Sequence, residues 1–101
     1  MTTAEMKTIL ADKLKDEQTY FKKSDISIKK LNSPKYEKYQ IVIKDYEHCP
    51  FTMYLEHDNY FGYTVTIMDV DHEEIAFIDS KKDYDIKTAL LYLGYHIGNT
   101  F

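Results

Sequence analysis

Tyr63-Thr64-Val65-Thr66-Ile67-Met68 alternates apolar and polar or flexible side chains without interruption. Successive side chains of an extended strand point to opposite faces, so this stretch places Tyr63, Val65 and Ile67 together on one inner face. The same period runs backward along the chain. Phe51, Met53 and Leu55 alternate with Thr52, Tyr54 and Glu56, and Tyr39, Ile41 and Ile43 alternate with Gln40, Val42 and Lys44. Ile26 and Ile28 enclose Ser27 in a further strand that ends at the Asn32-Ser33-Pro34 turn. Forward of Met68, the polar tip Asp71-His72-Glu73-Glu74 leads into a short fifth strand at Ile75–Ile78. Glu47-His48-Cys49-Pro50 reads as a break, because proline has no amide to give a central ladder, and His57-Asp58-Asn59 reads as a turn.

Both flanks of this strand region have the helical period. Thr2 and Glu5 stand at capping-box spacing, and Met6, Ile9, Leu10 and Leu14 form one stripe, which predicts a helix over residues 2–18. Ile86, Ala89, Leu90, Leu93 and Ile97 form a second stripe, with Asp83 expected as its N-cap and Gly98-Asn99 as its stop. The order α-β-β-β-β-β-α with hairpin-length connections predicts an α+β fold. Its antiparallel sheet of about four to five strands carries the N-terminal and C-terminal helices on one face. Residues 1–101 are expected to form a single domain, with Met6, Ile9, Leu10, Leu14, Ile41, Ile43, Val65, Ile67, Leu90 and Leu93 in its core.

Charge is sorted along the chain. Residues 1–44 hold ten Lys and six acids, a net +4, whereas residues 45–101 hold three Lys and eleven acids, a net −8. The overall charge of −4 conceals this asymmetry, which bears on partners and encounter rates rather than on fold. Arginine, the usual residue for bidentate phosphate or guanine recognition, is absent. An acidic, Arg-free chain is poorly suited to reading nucleic acid directly, although AT-rich coding is a second source of lysine in place of arginine. Cys49 is the single cysteine, so no intrachain disulfide can form. With no secretory leader pattern and no apolar run of membrane-spanning length, a cytoplasmic location is the expectation.

No motif of catalysis or cofactor binding emerges. The acidic run from Asp69 fails the EF-hand pattern, since Glu74 stands where glycine is needed and Ser80 where a carboxylate is needed. His48 and Cys49 are adjacent and would face opposite ways on a strand, and no ligand pair has zinc spacing. Gly94-x-x-x-Gly98 lies in a helix too polar for a membrane dimer, which leaves close packing or helix termination as its use. The expectation is therefore no enzymatic activity, no catalytic residue, no metal and no cofactor. Of the ten tyrosines, Tyr39 and Tyr63 belong to the core, while Tyr54, Tyr60, Tyr84, Tyr92 and Tyr95 fall on polar faces or near turns. Exposed tyrosine supplies rigid contact area and a hydroxyl, as interface cores do.

These features predict a binding protein whose acidic half covers a basic partner surface. The expected contact set is Asp58, Asp69, Asp71, Glu73, Glu74, Asp79, Asp83 and Asp85, with Tyr60 and Tyr84 as anchors. Carboxylates at alternate positions of an extended segment lie about 6.6 Å apart. Two phosphate steps along one DNA strand span about the same distance, so such a row imitates nucleic acid. In size, acidity and lack of arginine the chain resembles the small phage or mobile-element inhibitors of host defence, anti-CRISPR and antirestriction proteins among them. That resemblance is one of profile and assigns no residue. An immunity protein or antitoxin against a basic nuclease-type toxin predicts the same surface. A small enzyme using His and Asp would instead need a deep cleft with shifted carboxylates.

Overall fold

The structure, a computed structural model, describes residues 1–33, 37–44, 51–58, 62–68, 71, 73–79 and 85–100, with 51, 58, 75–79 and 100 as backbone. Helix α1 (Thr3–Asp16) opens with the expected capping box. The Glu5 amide donates to Thr2 Oγ1 and the Thr2 amide to Glu5 Oε1, both at 3.1 Å. The helix stops at Asp16, short of the expected residue 18, because the chain turns left-handed at Gln18 (φ 61°). The Gln18 amide then donates to the Lys15 carbonyl and the Thr19 amide to the Leu14 carbonyl, the two bonds of a Schellman closure. A single 3-10 turn, Lys23–Asp25, leads into the sheet.

Five strands follow: β1 (Ile26–Leu31), β2 (Lys38–Ile43), β3 (Phe51–Asp58), β4 (Gly62–Met68) and β5 (Glu74–Asp79). They lie side by side in chain order and every neighbouring pair is antiparallel, so the sheet is a meander. Strand β3 runs further than the sequence suggests. His57 pairs with Tyr63 and Asp58 with Gly62, so both residues belong to the ladder rather than to a turn. Near the start of β5 the register slips, with Ile67 opposite Ala76 but Met68 opposite Glu74, a bulge at Ile75.

The register stacks the inner residues in rows across the sheet, such as Ile28, Ile41, Met53 and Ile67. Above them lie α1 and helix α2 (Ile86–Thr100), whose Met6, Leu10, Leu14, Leu90, Leu93 and Ile97 are fully buried in the same apolar cluster. Nine of the ten expected core residues are buried; Ile9 is half-buried and packs on the cluster's margin. Tyr39 and Tyr63 are buried as expected.

Helix α2 differs from expectation at both ends. Asp85, directly before the helix, accepts the Thr88 amide at 2.8 Å and so acts as its N-cap; Asp83 lies outside the described residues. Gly98 and Asn99 do not end the helix, which continues to Thr100. Instead Gly94 and Gly98 let α1 approach. A Cβ at Gly94 would stand 2.6 Å from Lys13 Cγ, and one at Gly98 2.4 Å from Glu17 Cβ. Lys13 and Glu17 are themselves joined by an ion pair at 3.0 Å along α1.

Candidate interaction surface

Because the strands lie in chain order, the sorting of charge along the sequence becomes a sorting in space. The β1 edge carries the exposed Lys29 and Lys30, with Lys22, Lys23 and Lys44 exposed nearby; α1, which packs beside it, is charge-balanced, with Lys7, Lys13 and Lys15 against Glu5, Asp12 and Asp16. Toward the other edge stand the exposed Asp71, Glu73 and Glu74, and β5 ends at Asp79. With about 4.8 Å between strands, the outermost two are separated by about 19 Å.

The expected contact residues do not all converge. Asp71, Glu73 and Glu74 lie where β4 passes into β5, and all three are exposed. Asp58 ends β3, Asp79 ends β5 opposite Thr64, and the exposed Asp85 caps α2, so these three occupy the opposite end of the sheet. A strand the length of β4 separates the two groups by about 20 Å. Tyr60, Asp69, Asp83 and Tyr84 lie outside the described residues, as do His48, Cys49 and His72. No described group of His, Cys, Asp and Glu side chains is placed to hold a metal ion.

Glu37 organises a polar cluster at the Asp58 end that pattern reading had missed. Its carboxylate accepts the Tyr39 hydroxyl at 2.6 Å and the Tyr63 hydroxyl at 3.0 Å. Its carbonyl accepts the His57 amide at 2.8 Å, and the His57 ring meets Tyr63 edge-on at 4.8 Å. Burial, then the hydrogen bond to Glu37 and its negative charge, push the Tyr39 phenol up to about 12. The same causes raise Tyr63, with Asp85 adding to them. Phenols held protonated in this way serve as donors rather than bases, and the cluster ties β2, β3 and β4 together. The available signal was parity, since Glu37 shares an alternation phase with Tyr39.

The carboxyls of Glu5 and Asp85 are both held below the usual range by hydrogen bonds at helix starts, Glu5 from Thr2 and Asp85 from Thr88. Both shifts belong to helix capping. A shallow groove of about 410 Å³ between α1 and the 3-10 turn is lined by Ala4, Glu5, Thr8, Ile9 and Lys23. Its one carboxylate, Glu5, is engaged in the capping box.

The aromatic side chains expected on the surface divide. Tyr95 is 50 % exposed on α2 beside exposed Leu91, and His96 stacks edge-on against Tyr92 at 4.8 Å. Tyr54 is half-buried on the outer face of the sheet. The most exposed large apolar side chain among the described residues is Tyr20, at 83 %, just beyond the α1 closure. Among the described residues no helix is long and apolar enough to cross a membrane. Comparison with protein-family models, with curated proteins and with solved structures returns no match for this chain.

Proposed function

We propose that the protein is a non-enzymatic binding protein whose acidic side covers a basic, nucleic-acid-binding surface of a partner protein. The kind of task envisaged is that of an anti-CRISPR or antirestriction inhibitor. The supporting observation is the polarity of the meander, with exposed lysines along and beside β1 and the exposed Asp71, Glu73 and Glu74 on the far side. A one-signed flank on a small rigid sheet steers a basic partner to one side and repels it from the other.

The experiment has two stages. Tagged protein is used to capture its partner from the native host, with identification by mass spectrometry. Asp69, Asp71, Glu73 and Glu74 are then reversed to Lys, with Asp12 and Asp16 reversed as the control because they lie among lysines. Association with the captured partner should slow on the order of tenfold or more for the first set and change little for the second. Wild-type association should fall as salt rises, since exposed charges are screened over about 8 Å near 0.15 M salt. Unchanged association in both variants would reduce the charge asymmetry to a solubility feature and overturn the proposal.

A further inference from the structure

The helices cover one face of the sheet, and no described element covers the other. On that outer face the register lays down three rows. Ser27, Val42, Thr52, Met68 and Glu74 form the first, and Lys29, Gln40, Tyr54, Thr66 and Phe77 the second. The third runs Leu31, Lys38, Glu56, Thr64 and Asp79. Tyr54 stands on the middle strand in the middle row. Its hydroxyl accepts from Gln40 Nε2 at 3.3 Å, and Lys38 Nζ lies 5.2 Å from its ring centroid while pairing with Glu56 at 2.9 Å.

On this face Val42, Gln40, Thr52, Tyr54, Thr66 and Met68 give the first two rows an uncharged centre, and in the third row Lys38 and Glu56 are paired with each other. Its rims are charged and opposite, with exposed Lys29 on β1 and exposed Glu74 on β5. We propose that this open face is a self-association surface that closes on a second copy of the chain about a two-fold axis parallel to β3.

Charge decides both the occupant and the axis. A two-fold parallel to the strands reverses strand order between the stacked sheets, so β1 of each copy lies over β5 of the other. Lys29 then falls between the partner copy's positions 74 and 79, and the contact is made twice because the interface is isologous. A two-fold across the strands would instead set β1 over β1, lysine against lysine. Tyr54 and Glu56 both lie on the chosen axis. The two copies of the Tyr54 ring meet there between sheets about 10 Å apart, and the two Glu56 carboxylates are flanked by the Lys38 side chains of both copies, one on either side.

The footprint is small, about 19 Å across the strands and about 20 Å along them. An area on the order of 400 Å² per copy lies at the weak end of specific interfaces, so a concentration-dependent dimer is expected rather than an obligate one.

Sedimentation equilibrium of the isolated chain, from about 5 µM to about 1 mM, tests this without any other protein present, so it stands or falls apart from the acidic-surface proposal. Wild type should pass from monomer to dimer within that range. Lys29→Glu and Glu74→Lys should each weaken the dimer on the order of tenfold, and the double swap should recover most of the loss. Tyr54→Glu, which sets two further carboxylates against each other on the axis beyond the Glu56 carboxylates that Lys38 pairs, should remain monomeric. Lys29 and Glu74 are exposed, so unchanged melting temperatures separate lost association from lost folding. A wild type monomeric throughout the range, or a double swap no tighter than the single variants, overturns the proposal.

Discussion

Glu37 and Tyr63 stand 26 residues apart in the chain and meet through a 3.0 Å hydrogen bond, the phenol donating to the carboxylate. The bond reaches over β3, because Glu37 leads into β2 and Tyr63 lies on β4. With Tyr39 donating to the same carboxylate, it closes the end of the sheet at which β3 turns into β4. A buried phenol requires a partner for its hydroxyl, and here one exposed acid supplies it to two.

Alkaline pH should loosen this end of the fold. In the unfolded chain the Tyr39 phenol titrates at its ordinary value of 10.0, and in the folded chain at about 12. A raised folded value means that the contribution to stability is fully present below pH 10 and is lost as pH rises through about 12. Tyr63 acts in the same direction. Thermal melting between pH 8 and 12 should show the decline, and Tyr39→Phe and Tyr63→Phe should flatten it. Near neutral pH each variant should cost about 1 kcal/mol, because water can replace the donor on exposed Glu37. A decline of equal steepness in both variants would show that other groups control alkaline unfolding.

Gly98→Ala should destabilise the chain although it improves helix propensity. The added Cβ would stand 2.4 Å from Glu17 Cβ and 3.0 Å from its Cγ, and Glu17 is the C-cap of α1. Overpacking of this kind costs about 1–3 kcal/mol, against a propensity gain of about 1 kcal/mol. Gly94→Ala should cost less, since its nearest neighbour, Lys13 Cγ at 2.6 Å, is slightly further away and one bond further from the α1 backbone than Glu17 Cβ is at Gly98. Urea unfolding of the two variants reads the difference, and a Gly98→Ala variant more stable than wild type would refute the close contact.

Gln18→Gly should stabilise. Gln18 holds φ 61° in the Schellman closure of α1, a conformation that glycine adopts without a Cβ penalty. A gain of about 0.5–1 kcal/mol corresponds to a rise of about 2–6 °C in melting temperature for a domain of this size. A lower melting temperature would mean that the Gln18 side chain makes a contact worth more than the backbone strain.

Leu90→Ala should be the most damaging of these changes. Leu90 has no exposed surface and sits in the cluster that joins α2 to the sheet. Truncation at a closed site costs about 2–5 kcal/mol, depending on how far the neighbours collapse. Denaturant unfolding gives the value, and a loss under about 1 kcal/mol would place the residue at a soft margin of the core.

The sequence by itself determined the elements and their faces. A strand's inner and outer residues follow from a period of two and a helix's stripe from 3.6, so Val65, Ile67, Leu90 and Leu93 could be assigned to the core from spacing alone. The Thr2–Glu5 capping box was legible for the same reason, since both partners lie within one helical turn. The charge sorting was also written in the sequence, and the meander preserved it because hairpins lay neighbouring segments side by side.

What spacing could not supply were contacts between distant segments. Asp85 caps α2 because the helix begins at Ile86, and in sequence several neighbouring acids fit the local pattern equally well. Gly98 resembled a stop, yet the helix continues past it because α1 brings Glu17 into the space a side chain would fill. The acidic residues looked like one set along the chain. Antiparallel pairing sends Asp58, Asp79 and Asp85 to one end of the sheet and Asp71, Glu73 and Glu74 to the other, since each reversal of strand direction exchanges the ends.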